Sequence, residues 1–218
     1  MAILHIVVLA LVSTISARSI ALKTRQSPAI LPAGSALLSI QASGNGCPHD
    51  TANIVLDNAS QTAVITNLTE FRAKIGPDGR RDATKNCAFH ASVQAPQGYQ
   101  FTLLQSVYAG YARLDAGVGG RFAASYFLSS NASDVVGRTI FLEGKSFLEG
   151  STFEIDLEHG TPRDYHKWSN CGQSDIANIN NRISLVAEAE PIESGELIAN
   201  AAPNQTVSVL WRQCTQMA

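Results

Sequence analysis

From Ala36 onward the apolar residues of this chain recur at every second position, and turn residues cut the pattern at short intervals. In Phe71-Arg72-Ala73-Lys74-Ile75 apolar and charged side chains alternate. Cys87, Phe89, Ala91 and Val93 fall on one side of an extended chain, with His90 and Ser92 on the other. The same alternation runs through Tyr99/Phe101/Leu103, Phe122/Ala124/Tyr126/Leu128, Phe153/Ile155/Leu157 and Val207/Val209/Trp211. A period of two is what a strand with one buried face and one wet face requires. Gly76-Pro77-Asp78-Gly79, Ala95-Pro96-Gln97-Gly98, Gly117 to Gly120 and Gly160-Thr161-Pro162 supply turn chemistry between the runs. No window of helical length keeps a 3.6-residue period. About nine or ten short strands at this spacing predict an all-β fold, a single β-sandwich of jelly-roll type.

At 218 residues the chain can bury one substantial core and is short for two. Residues 36–218 are read as the sandwich domain. Residues 18–35, with two prolines and mixed polarity, are read as a flexible lead-in. No internal repeat is visible.

Ahead of the lead-in, Ile3 to Val12 is apolar apart from His5, and small or polar residues follow to Ala17. A run of this length matches the hydrophobic region of a signal peptide and is too short to span a bilayer. Residues 1–17 are therefore expected to be a signal peptide cleaved after Ala17, with Ile15 and Ala17 at the specificity positions. The positively charged start is weak, since no Lys or Arg follows Met1. No later stretch is apolar for long enough to cross a membrane. The expectation is an extracellular protein, with the cell wall as a place of association.

Four cysteines, Cys47, Cys87, Cys171 and Cys214, all follow that leader. An even count in an exported chain reads as two disulfides, and no close C-x-x-C pair suggests zinc instead. Three pairings are open. Cys47–Cys87 with Cys171–Cys214 joins nearest neighbours in sequence and is the favoured one. N-x-S/T sequons at Asn58, Asn67, Asn131 and Asn204 point to N-glycosylation.

The cysteines stand in a recurring setting: Gly46-Cys47-Pro48, then Lys85-Asn86-Cys87, then Pro96-Gln97-Gly98-Tyr99-Gln100-Phe101. Trp168-Ser169-Asn170-Cys171-Gly172, Asn178-Ile179-Asn180 and Trp211-Arg212-Gln213-Cys214 follow in order. In order and spacing the set resembles the small secreted proteins, many of them fungal, grouped as domain of unknown function 4360. Two positions depart from that pattern: Ala88 stands where Gln commonly follows the second cysteine, and Asn170 where Pro commonly precedes the third. The resemblance implies a secreted, β-rich fold with two disulfides and brings no activity with it.

Candidate chemistry is sparse. Glu154-Ile155-Asp156-Leu157-Glu158 would set three carboxylates on one strand face, with Phe153, Ile155 and Leu157 on the other. This looks like the E-x-D-x-E strand of laminarinase-type (family 16) glycoside hydrolases, where Glu154 would be nucleophile, Asp156 its orienting partner and Glu158 the acid/base. A solvated strand gives the same pattern, because any half-exposed strand alternates apolar with polar residues. His159, Asp164 and His166 could hold a metal but read as surface loop residues, and no metal or cofactor is expected. There is no G-x-S-x-G elbow and no cysteine left over, so no nucleophile stands out. Trp168 and Trp211 are either a sugar platform or packed near their disulfides, the second being favoured.

Composition narrows the partners. Charged residues make up 16% of the chain and the formal net charge is −2, so there is no basic surface of the kind nucleic acid needs. A membrane is likewise not an expected partner. The sequence therefore reads as a non-enzymatic extracellular binding or structural protein that contacts cell-wall glycan or extracellular protein. The alternatives are a β-glucan hydrolase using Glu154 and Glu158, and a secreted effector acting on a host surface. Ligand and oligomeric state are not legible.

Overall fold

The computed structural model describes residues 32–49, 51–57, 59–60, 62–76, 83–158, 167–187, 194–198 and 205–214, with backbone only at 104–106 and 156–158. The expected signal peptide and most of the lead-in lie outside the described residues.

Twelve strands form two antiparallel sheets. Sheet A has five strands in the order β1 (Ala36–Ser43), β5 (Thr84–Gln94), β10 (Asp175–Ala187), β7 (Val118–Leu128) and β8 (Val136–Glu143). The other seven make sheet B: β2 (Asn53–Asp57), β3 (Thr62–Thr66), β12 (Gln205–Gln213), β6 (Tyr99–Leu114), β11 (Gly195–Ile198), β4 (Arg72–Ile75) and β9 (Ser151–Glu158). The fold is an all-β sandwich. Two 3-10 turns, Ser129–Asn131 and Gly144–Ser146, are the only helical segments among the described residues.

Strand β6 organises sheet B. Gln105 to Tyr108 pair with β12 and also with β9, while Tyr111 and Ala112 pair with β11 and also with β9. A strand has two edges, so β12 and β11 follow one another along one edge and β9 takes the other. A register shift between Ser208 and Val209 lets β12 keep pairing as β6 bends.

The alternation read from sequence is the core. Cys87, Phe89, Ala91 and Val93 of β5 and Phe122, Ala124, Tyr126 and Leu128 of β7 are buried. From sheet B, Phe101, Leu103, Val207, Val209 and Trp211 face them. One polar cluster crosses this apolar layer: Tyr108, Asn181 and Gln205 are each no more than 1% exposed. The Tyr108 hydroxyl donates to Asn181 Oδ1, Asn181 Nδ2 donates to Gln205 Oε1 at 3.1 Å, and Gln205 Nε2 donates to the Tyr108 oxygen at 2.6 Å. The three side chains thus close a ring of hydrogen bonds between the sheets.

Cys47 is bonded to Cys87 and Cys171 to Cys214, and no free cysteine remains among the described residues. The first bond holds the turn after β1 against β5, its neighbour in sheet A. Gly44 opens that turn at φ +128°, and a Cβ there would lie 2.4 Å from the Asn86 carbonyl oxygen. The second bond ties the segment entering β10 of sheet A to the end of β12 in sheet B. Backbone bonds from Ser169 N to Phe101 O at 2.9 Å, Gly172 N to Tyr99 O and Cys214 N to Gly98 O, both 2.8 Å, reinforce that end.

Candidate functional site

The outer face of sheet A carries a shallow hollow of about 490 Å³. Register makes it. Across β5, β10, β7 and β8 one row reads Ala88, Asn180, Ser125, Gly137, and the next Asn86, Arg182, Ala123, Thr139. Short side chains at Ala88, Ala123, Ser125 and Gly137 leave the floor low, because neighbouring strands place equivalent Cβ atoms only about 5 Å apart. Longer side chains from the same rows rise around it. A third row, Thr84, Ser184, Arg121, Phe141, bounds one end. There the Arg121 guanidinium lies 5.9 Å from the centre of the Phe141 ring, which is 73% exposed.

The opposite end is closed by the row Gln41, His90, Asn178, Phe127. Asn178 is buried although it points outward, because it is held from several sides. Its Nδ2 donates to the Ile176 carbonyl at 3.2 Å and to Ser129 Oγ at 2.8 Å. A carbonyl can only accept, so the amide is oriented and Oδ1 faces His90 Nδ1, 2.8 Å away. Nδ1 therefore carries the ring proton, and in the neutral ring Nε2 accepts from the Ser43 hydroxyl at 3.2 Å. No sequence motif marks Ser43 as part of such an arrangement. This one unites residues 47 and 88 positions apart, which no local motif could reveal.

The charge on the hollow is of one sign. Arg121 and Arg182 line it from outward-facing positions, and no carboxylate does. Three cations elsewhere are paired, Lys74 and Arg72 with Glu196 at 2.7 and 3.6 Å and Lys167 with Asp134 at 2.6 Å. Among the described residues neither of these two arginines forms an ion pair.

A second depression, about 310 Å³, lies beside the Cys171–Cys214 end and is lined by Gln100, Asn131, Asp134, Lys167, Trp168 and Arg212 among others. The Arg212 guanidinium sits 4.0 Å from the centre of the Trp168 ring and donates to Gln100 Oε1 at 3.2 Å. Burial pulls its pKa below the ordinary arginine value. Trp168 is half-buried, whereas Trp211 is buried in the core, 5.8 Å from Phe101 between ring centres.

The carboxylate strand is β9. Ile155 is buried and Glu154 exposed, so the Glu154 face is the outer face of sheet B, on the far side of the sandwich from the hollow. The side chains of Asp156 and Glu158 lie outside the described residues, as do His159, Asp164 and His166. Along a regular strand Glu154 and Glu158 have Cα atoms about 13 Å apart. Of the sequons, Asn67 and Asn131 are exposed, while Asn58 and Asn204 lie outside the described residues. Asn67 holds φ 63° at the end of β3, with Nδ2 donating to Thr51 O at 3.0 Å.

Residues 34–214 match the family described as a domain of unknown function (DUF4360). The chain belongs to this family. A relative from Arthroderma benhamiae, named an uncharacterized secreted protein, is 28% identical over 183 residues, covering 82% of this chain and 71% of its own. With two disulfides and a secreted relative, the family member described here is extracellular. Among solved structures it is similar to TmCBM61 in complex with beta-1,4-galactotriose, at TM-score 0.26 and 12% identity, over 80% of this chain and 88% of that one. It is also similar to the enzymatically active domain of bacteriophage CBA120 tailspike protein 4, at TM-score 0.24 and 12% identity, over 79% of this chain and 19% of that one. Scores this low give no evidence about function.

Proposed function

We propose that the protein is a non-enzymatic extracellular binding protein that holds a polysaccharide chain across the outer face of sheet A. The observation that carries this reading is the hollow itself: a low floor of Ala, Ser and Gly crossed by four strands, rimmed by amide, hydroxyl and guanidinium groups. Sugars present dense hydroxyls and are bound by convergent side-chain hydrogen bonds from a preformed surface. Asn86, Asn180, Ser125 and Thr139 offer both donors and acceptors there. The exposure of Asn67 and Asn131 supports reading those sequons as glycosylated.

The test is migration of the secreted protein through native gels containing soluble wall polysaccharides, with Ser125→Trp filling the hollow. Retardation of the wild type by at least one polysaccharide, absent in the variant, is expected. Equal migration of both proteins in every gel would sink the proposal. Release of reducing ends from any of the polysaccharides would overturn its non-enzymatic half and return Glu154, Asp156 and Glu158 to consideration.

A further inference from the structure

We infer that the chain held in the hollow is acidic, a polysaccharide bearing carboxylates; this rests on the reading of the hollow as a glycan site. Two arginines, Arg121 and Arg182, stand on the outer face at one cavity of a protein whose formal net charge is −2. Arg182 stands beside Ala123 on β7, and Arg121 stands beside Ser184 on β10. The two are therefore diagonal neighbours on adjacent strands, with Cα atoms about 7 to 8 Å apart. Arg138 of β8 pairs with Ala124, a residue of the buried face, so its side chain leaves the strand on the other side and does not join this pair. Like charges at this spacing repel; no carboxylate lines the cavity and none forms an ion pair with either group. Glu143, on the β8 edge one row beyond Phe141, pairs with Gly119 and stands diagonal to Arg121, outside the cavity lining and without an ion pair to it.

A cluster that costs the folded protein self-repulsion is relieved by a ligand of opposite sign. The guanidinium fork matches a carboxylate with two parallel hydrogen bonds, a geometry neutral hydroxyls do not offer. Neighbouring asparagines and hydroxyls then have the sugar ring to bind. The packing of Arg121 against Phe141 fixes one guanidinium in place while leaving its N–H edges available. Nucleic acid, the other long polyanion, is a poor fit: the basic area is confined to one hollow, and the only exposed aromatic ring in the three rows already packs on Arg121.

Isothermal titration of the secreted protein with polygalacturonate, a neutral β-glucan and a phosphorylated mannan tests this, using the wild type, Arg182→Gln and Ser125→Trp. All these positions lie on the solvent side of the sheet, and thermal melts verify that each variant folds. Binding of polygalacturonate is expected to weaken about tenfold in Arg182→Gln, the loss of one charge-assisted contact. It should also weaken steeply between about 20 and 500 mM salt. Binding of the neutral glucan, lost in Ser125→Trp but unchanged in Arg182→Gln, would overturn the acidic assignment and leave the glycan site standing. Preference for the mannan would overturn the carboxylate. No binding to any of the three would remove both readings together.

Discussion

The hydroxyl of Tyr108 on β6 donates to the side-chain oxygen of Asn181 on β10, and the two residues belong to opposite sheets. Through Gln205 the contact closes into a ring in which each side chain donates once and accepts once. A polar ring buried in an apolar layer specifies how the sheets sit on each other, since any slip leaves amide groups without partners.

Replacing Tyr108 by Phe keeps the aromatic contact with Phe122, 4.5 Å between ring centres, and removes only the hydroxyl. Asn181 Oδ1 then loses a donor and Gln205 Nε2 an acceptor, both in the buried core. The variant should lose about 1–3 kcal/mol of unfolding free energy. Urea denaturation followed by fluorescence measures it. An unchanged midpoint would mean that the ring does not hold the sheets in register.

The two disulfides close loops of similar length, 40 and 43 residues, so replacing either cysteine pair by Ala should cost a similar amount, about 4 kcal/mol in the chain-entropy picture. Local consequences should differ. Without Cys171–Cys214 the bonds of Gly172 and Cys214 to Tyr99 and Gly98 lose their anchor. Faster hydrogen exchange at those amides is expected in that variant and not in the one lacking Cys47–Cys87. Equal deprotection in both would refute the assignment of a sheet-joining role to one bond alone.

Asp57 ends β2 and folds back over the following turn, accepting from Ser60 Oγ at 2.6 Å and from the Ala59 amide at 2.9 Å. Those bonds, the Ser60 hydroxyl first, hold its carboxyl below the ordinary value of 3.8. A lowered pKa in the folded state contributes stability above the unfolded-state value and loses it as pH falls through the folded one. Titration of the Asp57 carboxyl by NMR should give a midpoint below 3.8, and Ser60→Ala should raise it. A midpoint at or above that value would show that the turn does not hold the charged form.

Much of the fold could be read from the chain because the core faces are written locally. Phe89 and Ala91, or Phe122 and Ala124, lie two apart in sequence and on one buried face. Strand β6 was harder. Clean alternation is legible only through Tyr99, Phe101 and Leu103, but the strand runs to Leu114, because residues paired on both edges need no clean alternation to stay extended. Asn178-Ile179-Asn180 was visible as a motif, yet its parts separate: Asn178 and Asn180 face outward, while Ile179 and the adjoining Asn181 face the core. The hollow was not legible at all. Arg121 and Arg182 look scattered along the chain, and only the register of β10 on β7 gathers them.

The low floor of sheet A is made by backbone, and backbone spacing is fixed. Groups along a row recur with the strand separation, about 4.8 Å, and groups along a strand with twice the residue rise, about 6.8 Å. The face is in effect a ruler with two scales at right angles. A polymer whose repeat agrees with one of them can engage successive rows without bending, whereas one that disagrees drifts out of phase after a few units. Length of ligand, and not merely its chemistry, then becomes something this surface can measure.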